Sequence, residues 1–470
     1  MTGRVGRRFL TVLTAVATIA CLAAVPAAQA TTSTSYAGAT ADGGRWIADV
    51  PSPWNGTLLL YSHGFGPLVA ADAPDAATKQ ALLDRGYALA GSSYDPNGSW
   101  WALGSAVTDQ FQTLTDVQAD LSSPPTRVIA FGTSMGGLIS ALEDEHSHGR
   151  LDAALTTCGI VAGAVQLNNY QLDGEYTMSK LLAAGQSIKL VDFTGPSDGL
   201  NTGYQLDAVA RQAQGTLQGR ARLALAMAFM NVSTWAPGEA MPAPNDYAAQ
   251  EQEQYDVQFK ATGTPPISTT MDFVEFGRPY IEEAAGGNAA WTAGVNFAAL
   301  LARSPYAPEV VSLYRQAGLD LRSDLATLTG GADITADPSA LRWLYRTSVP
   351  TGRLQVPELD MHTISDQLVP VQQENYYRHT VRRAGAQALL RQAFVGRQLH
   401  CNFTPAELVA GVQAVEQRVQ TGGWGSAATP GALEASAQSL GLGDAAFIPY
   451  WPPPLSGDNG RFPWGGWRWR

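Results

Sequence analysis

The chain has 470 residues, of which 45% are hydrophobic and 15% are charged, and its formal net charge is −11. This apolar fraction is typical of folded proteins and argues against disorder, while three cysteines are too few for a disulfide-dense scaffold. The acidic balance lacks the basic footprint of a nucleic-acid-binding protein, so we expect no nucleic-acid partner. The length allows one large domain or two to three smaller ones.

The first 30 residues have the features of an export signal. Three arginines precede an apolar run over residues 9–25, and Ala28-Gln29-Ala30 has the small-x-small form of a cleavage site. The alternative is a membrane anchor, but the apolar run is short for a bilayer span and contains three threonines. We therefore predict that residues 1–30 are removed and that the mature protein is secreted, with no stable membrane span.

Residues 31–159 alternate between short apolar runs and longer amphipathic segments. This rhythm is typical of a parallel sheet with crossover helices. We predict strands near 57–64, 87–94, 127–131 and 151–157, with helices near 75–86, 105–121 and 136–146.

The alternation stops at about residue 160 and returns at residue 354, where we predict strands at 354–363 and 388–395 and helices at 371–384 and 404–420. The intervening segment is rich in Ala, Gln and Leu with helical periodicity. It is interpreted as an insertion into a single sheet domain. The predicted organisation is a core of residues 31–159 and 354–422, a helical cap of residues 160–353, and a Gly/Pro/Trp-rich tail of residues 423–470.

The segment Gly132-Thr133-Ser134-Met135-Gly136 follows a predicted strand and opens a predicted helix. A G-x-S-x-G sequence in that context is a nucleophile elbow, because the glycines allow a tight turn that raises the serine above the sheet. The alternative is an ordinary Gly-rich turn between a strand and a helix.

With this motif in its context, the sequence resembles a secreted α/β-hydrolase that has a large cap. The resemblance covers residues 50–160 and 350–420. The resemblance implies an α/β-hydrolase fold, a mostly parallel sheet flanked by helices, with the helical cap inserted after the sixth strand. It also implies that Ser134 is the nucleophile of a triad in the chain order Ser, acid, His.

The same resemblance points to the base and the acid. Two histidines follow the best acid candidate: His400 follows a predicted strand, whereas His379 lies within a predicted helix and suits a solvated face. We expect His400 to be the base. Asp366, followed by Leu-Val-Pro one residue later, matches the family's acid loop, and Asp360 is the rival in mid-strand.

An oxyanion hole needs backbone N–H groups that point at the developing negative charge. One donor is expected from Met135, directly after the nucleophile. The segment His63-Gly64-Phe65-Gly66 resembles the family's H-G-x-G loop and implies a second donor from Phe65, with Gly64 as the near alternative. The alternative interpretation is that His63-Gly64 only ends the preceding strand.

Several aromatic residues have two possible roles. Those in or near loops of the sheet domain could wall an acyl or aromatic pocket, or could belong to the core; they are Trp54, Tyr94, Trp100 and Trp101. Aromatic residues of the cap allow the same two interpretations, and for most of them core packing is the simpler one; they are Trp235, Phe273, Phe276, Trp291 and Trp343.

Cys158 and Cys401 are the two cysteines outside the export segment. In the implied fold, Cys158 ends the strand beside the nucleophile strand and Cys401 follows the base. Both therefore approach the same edge of the sheet, and an exported chain usually oxidises such a pair. We predict a Cys158–Cys401 disulfide, with two free thiols as the alternative.

The sequence thus predicts a serine hydrolase that cleaves carboxylic esters of small or polymeric substrates. A peptidase or amidase could use the same triad, and a binding protein could retain the fold without chemistry. An intact triad in the correct order argues against the third possibility. Because no metal site or nucleotide loop is recognisable, no cofactor is expected.

Overall fold

The computed structural model describes residues 32–457, so the predicted export signal and the last residues of the tail lie outside it. Nine strands form one sheet in the order β1-β2-β4-β3-β5-β6-β7-β8-β9. The strands are β1 (Thr32–Ala39), β2 (Arg45–Ser52), β3 (Thr57–Ser62), β4 (Ala88–Ser92), β5 (Arg127–Thr133), β6 (Ala153–Thr157), β7 (Glu358–Ser365), β8 (Leu390–Gln398) and β9 (Phe447–Ile448).

The sheet is parallel from β4 to β8 and antiparallel at its two ends. β5 lies at its centre, paired in parallel with β3 and β6. Every residue of β3 is buried, as expected for a strand covered by helices on both faces. β1 and β2 extend one edge as an antiparallel hairpin, and β9 pairs antiparallel with β8 at the other.

Helices cover both faces of the sheet. On one face α1 and α14 pack against alternate residues of the central strands, such as Leu59 and Ile129. On the other face α2 and α3 cover the intervening residues, such as Leu60 and Ala130. The flanking helices are α1 (Ala76–Leu83), α2 (Ala106–Asp120), α3 (Met135–Glu145), α13 (Gln372–Ala384), α14 (Pro405–Thr421) and α15 (Pro430–Leu440).

The chain between β6 and β7 is helical throughout its regular elements. Its helices are α4 (Ala164–Leu182), α5 (Pro196–Ala213), α6 (Leu217–Met230), α7 (Tyr247–Phe259), α8 (Thr270–Ala285), α9 (Phe297–Leu301), α10 (Ala307–Ala317), α11 (Leu321–Gly330) and α12 (Pro338–Thr347). The predicted fold class, with a helical cap after the sixth strand, is therefore confirmed.

Part of the tail belongs to the folded body. α15 packs against α14, and β9 adds a short strand to the sheet edge. None of the helices within residues 32–457 combines the length and apolar character needed to cross a membrane.

Candidate active site

The turn between β5 and α3 has the tight geometry expected of a nucleophile elbow. Ser134 lies at φ 62° and ψ −123°, a conformation that L-residues rarely adopt. A side chain at Gly132 would collide with the backbone oxygen of Gly136, and one at Gly136 would collide with that of Ser62. The two glycines are therefore required for the turn to form beside β3.

The structure brings Ser134, His400 and Asp366 into one chain of hydrogen bonds. His400 Nε2 lies 2.8 Å from Ser134 Oγ, and His400 Nδ1 lies 2.6 Å from Asp366 Oδ2. The three side chains come from the ends of β5, β7 and β8, which meet at the carboxyl edge of the sheet. This arrangement orients the ring of His400 so that Nε2 can accept the hydroxyl proton of Ser134.

Asp366 is held rigidly and ionised. Its Oδ1 accepts backbone N–H groups from Leu368 and Val369 at 2.9 and 2.8 Å. Burial by itself would raise the pKa of Asp366, but the hydrogen bonds and positive charge of His400 and His362 outweigh it and hold that pKa well below its usual range. The carboxylate can therefore stabilise a positive charge on His400.

His362 is a site residue that sequence reasoning missed. It is fully buried, its Nδ1 lies 2.6 Å from Glu374 Oε1, and its Nε2 lies 2.8 Å from the backbone oxygen of Val369. Burial opposes the charged ring, but the carboxylates of Asp366 and Glu374 raise the pKa of His362 well above its usual value. Chain order excluded it, because it precedes the acid; its position four residues before Asp366 on β7 was the available signal.

The loop after β3 reaches Ser134. A Cβ atom added to Gly64 would lie 3.6 Å from Ser134 Oγ, so the backbone at Gly64 passes directly beside the serine. The ring of His63 stacks on Tyr94 with centroids 4.3 Å apart, and the Tyr94 hydroxyl donates to the His63 backbone oxygen at 3.0 Å. Tyr94 thereby fixes the start of this loop.

Met135 is the first residue of α3, and Ser134 is its N-cap. The first N–H groups of a helix have no acceptor within that helix. The N–H of Met135 is therefore available at the N-terminus of α3, where the helix dipole also favours negative charge.

A disulfide joins Cys158, directly after β6, to Cys401, directly after His400. The two Cα atoms are 5.3 Å apart and 243 residues apart in the chain. The Sγ of Cys401 lies 3.3 Å from His400 Nε2. The bond therefore ties the loop that carries His400 to the centre of the sheet.

One group of potential metal ligands occurs within residues 32–457. It comprises Cys158, His400 and Cys401, whose ligand atoms all lie within 4.8 Å of one another. Its two sulfur atoms are bonded to each other, so they are not available as thiolate ligands.

The two alternative candidates, His379 for the base and Asp360 for the acid, lie outside this hydrogen-bonded chain. His379 is exposed on α13. Asp360 is buried in β7 and accepts hydrogen bonds from Thr156 and Gln392 at 2.8 and 3.1 Å. Burial and the nearby Glu374 raise the pKa of Asp360 well above its usual value, which favours the neutral form of this carboxyl.

Six of the nine aromatic residues named from the sequence fall into two groups. Tyr94, Trp101 and Trp291 are buried in the core. Trp100, Phe273 and Phe276 are half-buried and belong to a ring cluster around Phe65.

Among proteins of known activity, the chain is similar to the o-phthalyl amidase of Xanthobacter agilis. The two are 28% identical over 434 residues, which cover 88% of this chain and 93% of the amidase. No protein-family profile matches the chain.

Solved structures with similar architecture include two esterases. The rice cell wall degrading esterase LipA from Xanthomonas oryzae is 14% identical, with 82% of this chain and 87% of that chain covered and a TM-score of 0.35. Feruloyl esterase B from Aspergillus oryzae is 12% identical, with 82% and 80% covered and a TM-score of 0.41. At these scores, the fold assignment rests on the topology of the sheet itself.

Proposed function

We propose that this chain, whose sheet has the α/β-hydrolase topology, is a secreted serine hydrolase that cleaves carboxylic esters through an acyl-enzyme on Ser134. The observation that carries this proposal is the unbroken hydrogen-bonded chain from Ser134 through His400 to the ionised Asp366. A nucleophile, a base and an acid at the ends of three parallel strands form the arrangement that activates a serine hydroxyl.

In the proposed first step, His400 Nε2 takes the proton of Ser134 Oγ as that oxygen bonds to the ester carbonyl carbon. Asp366 stabilises the resulting imidazolium through Nδ1. The N–H groups of Met135 and Phe65 are assigned to the developing oxyanion, where each donor typically contributes about 10²–10³ in rate. His400 then protonates the leaving alcohol oxygen as its bond to carbon breaks.

In the second step, water attacks the acyl-enzyme. His400 takes one proton from that water, the bond between the acyl carbon and Ser134 Oγ breaks, and the proton returns to Ser134. The products are a carboxylic acid and the alcohol released earlier. The enzyme returns to its starting state without any added cofactor.

Amide hydrolysis is the second candidate function. It is supported by the similarity to an amidase over nearly the whole chain. Amides and esters pass through the same acyl-enzyme, so the residues and their roles stay the same, and the nitrogen leaving group takes its proton from His400.

The decisive experiment measures kcat/KM on p-nitrophenyl esters of graded chain length beside acyl p-nitroanilides. We expect ester turnover that falls by roughly 10⁶ in kcat in Ser134→Ala. The matched control is His379→Ala on the exposed face of α13, which should retain wild-type turnover. Anilide turnover equal to ester turnover favours the amidase, and undiminished activity in Ser134→Ala contradicts both candidates.

Export is proposed from the basic and apolar segment before Ala30 and from the disulfide, since such bonds persist outside the cytoplasm. N-terminal sequencing of protein recovered from the culture medium should give a chain that starts at Thr31. An intact Met1 in a cell-associated protein would contradict this.

A further inference from the structure

A cluster of five aromatic side chains includes Phe65, which directly follows Gly64 beside Ser134, and we call it the aromatic cluster. Its members come from three segments: the loop after β3, the loop after β4, and the cap helix α8. Phe65 contacts three of the other rings edge to face, at centroid distances of 5.4 to 6.0 Å. The members are Phe65, Trp100, Phe273, Phe276 and Tyr280.

Contacts between the loop after β4 and α8 hold the cluster together. Trp100 stacks on Tyr280 with ring centroids 4.8 Å apart and planes 3° from parallel. The neighbouring Ser99 donates its hydroxyl to the Tyr280 backbone oxygen at 2.6 Å. The loop after β4 is therefore fastened to α8, so the rings keep a defined arrangement.

All five rings remain partly exposed to solvent. The cap contains another aromatic group, Tyr176, Phe229 and Phe297, whose members are at most 4% exposed. Rings whose role is packing are thus buried in this cap, whereas those beside Ser134 leave apolar surface uncovered. Partly exposed aromatic surface in a cleft with convergent polar groups is typical of a ligand site.

The order of the strands places the cluster on one side of Ser134. Phe65 follows β3 and Trp100 follows β4, which lie on one side of β5, whereas Asp366 and His400 follow β7 and β8 on the other side. The leaving group must lie within hydrogen-bond reach of His400 to receive its proton. The acyl group therefore extends toward β3 and β4, where the aromatic cluster is.

The side that carries His400 is bounded by the cap. Ser365 at the end of β7 donates to the backbone oxygen of Trp235 at 2.5 Å, and Gln398 at the end of β8 donates to that of Ala236 at 2.6 Å. The loop after α6 thus limits the space for the leaving group. On the opposite side, the aromatic cluster presents partly exposed apolar surface.

Gly277 lies under the ring of Phe65. It shares one face of α8 with Phe273, Phe276 and Tyr280, at the i, i+3, i+4 and i+7 spacing. A Cβ atom at Gly277 would meet Phe65 ring carbons at 3.8 and 3.9 Å, which is ordinary contact, so alanine would fit. A side chain larger than alanine would meet the Phe65 ring and displace it from the cluster.

From this geometry we infer that the site accepts an aromatic acyl group, a planar ring attached to the scissile carbonyl, against the partly exposed rings of the aromatic cluster. The inference rests on the proposed function, since the ring is placed relative to Ser134. Edge-to-face and offset-stacked contacts between aromatic rings select a flat ring over a saturated ring of similar volume.

The test compares p-nitrophenyl benzoate, cyclohexanecarboxylate and acetate, so that the leaving group is constant. Each kcat/KM is divided by the rate of alkaline hydrolysis of the same ester. We expect the corrected value for the benzoate to exceed that for the cyclohexanecarboxylate by about tenfold or more. Equal values, or a preference for the saturated ring, would overturn the inference.

Gly277→Leu should lower kcat/KM for the benzoate by about tenfold or more and leave that for the acetate within about threefold. The control is Gly431→Leu, at a helical glycine on α15 with no atoms near its added side chain. If Gly277→Leu does not fold, Trp100→Leu should still lower the benzoate value selectively. A uniform loss on all three esters contradicts a role in selectivity.

The failure of the proposed function has a different signature. If no ester is hydrolysed in a manner that Ser134→Ala abolishes, then the proposed function falls and the aromatic acyl site falls with it. If hydrolysis depends on Ser134 but shows no aromatic preference, only the acyl inference fails.

Discussion

At the scale of single residues, two buried carboxyls, Asp360 within β7 and Asp366 directly after it, differ in their electrostatics and in their expected importance. The pKa of Asp366, which is bonded to His400, is lowered, whereas that of Asp360, which is bonded to Thr156, is raised. Asp366→Asn should lower kcat by roughly 10³–10⁴, less than Ser134→Ala, because the acid chiefly sets the tautomer of His400. The measurement is steady-state kinetics on an ester that the parent cleaves well.

Asp360→Asn is the matched control for that change. Asparagine resembles the protonated carboxyl of Asp360 in shape and charge, so kcat should stay within about threefold of the parent value. A larger loss for Asp360→Asn than for Asp366→Asn would move the role of the acid to Asp360.

His362 is predicted to position Asp366. Both of its ring nitrogens face oxygen acceptors, and its Nε2 lies 3.6 Å from Asp366 Oδ2. His362→Gln keeps a donor for the Val369 oxygen but removes a buried positive charge beside the pair formed by Asp366 and His400. Because His362 helps to hold the pKa of Asp366 below its usual range, its loss should raise that pKa, and the acid limb of the kcat/KM profile should move to higher pH.

The pH profile separates this role from a structural one. A variant that only loosened the fold would lower kcat/KM at every pH without moving the limb. His379→Gln, on the exposed face of α13, should leave both the rate and the profile unchanged. An unshifted limb in a stably folded His362→Gln protein would count against the positioning role.

At the scale of elements, the disulfide links the end of β6 to the loop after β8. Because it closes a long loop, the chain-entropy account gives it about 5 kcal/mol of stabilisation or less. Cys158→Ser should lower both the free energy of unfolding and kcat, since the loop that carries His400 loses its attachment. Denaturant unfolding and ester kinetics measure the two effects.

Peptide mapping of the non-reduced protein provides the covalent check. One cross-linked peptide that contains Cys158 and Cys401 is expected. Two separately alkylated peptides would contradict the disulfide, and unchanged kcat in Cys158→Ser would show that the bond does not hold His400 in place.

Elements with a strong periodic pattern were predictable from the sequence. The helix predicted at 404–420 is Pro405–Thr421, and the strand predicted at 388–395 is Leu390–Gln398. The hairpin of β1 and β2 was missed, because β1 is an exposed edge strand of small and hydroxyl residues with little hydrophobic signal. β9 has only two residues and is held by its pairing with β8.

The residues of the site also differ in whether the sequence alone predicts them. Ser134 is recognisable because the turn geometry demands glycines on both sides, and these are visible in the sequence. The contact between His362 and Glu374 joins β7 to α13, and the aromatic cluster joins two loops to α8. Such pairings depend on how separate elements pack in three dimensions, which no local pattern encodes.

At the scale of the whole molecule, the cap and the sheet domain share one core. The largest hydrophobic cluster combines Leu138 and Ile139 of α3 with cap residues such as Leu223 and Phe297. The cap therefore packs on the helix that Ser134 opens. We propose that it acts as a lid over the carboxyl edge of the sheet, where it would restrict access to Ser134 and exclude water.

The stability of the whole molecule should fall as pH rises from about 5 to 8. Burial raises the pKa of Glu143 to about 8 and that of Asp109, Asp144 and Asp207 to about 7. In this range the folded state keeps protons that the unfolded chain releases. Each such group then lowers the free energy of unfolding by up to about 1.4 kcal/mol per pH unit.

His362 also lowers the free energy of unfolding as the pH rises above its usual pKa, because its pKa is raised in the folded state. Urea unfolding at pH 5 and pH 8 at constant ionic strength should show a lower free energy of unfolding at pH 8. Glu143→Gln, which removes one titrating group, should make the difference smaller. A free energy that is constant or rises over this range would be the contrary result.

The most direct test of the central claim, an acyl-enzyme on Ser134, is peptide mass spectrometry of the active protein after reaction with a fluorophosphonate probe. The account predicts one modified peptide, with the adduct on Ser134, in step with loss of ester hydrolysis. An adduct on another residue, or full loss of activity with Ser134 unmodified, would contradict it.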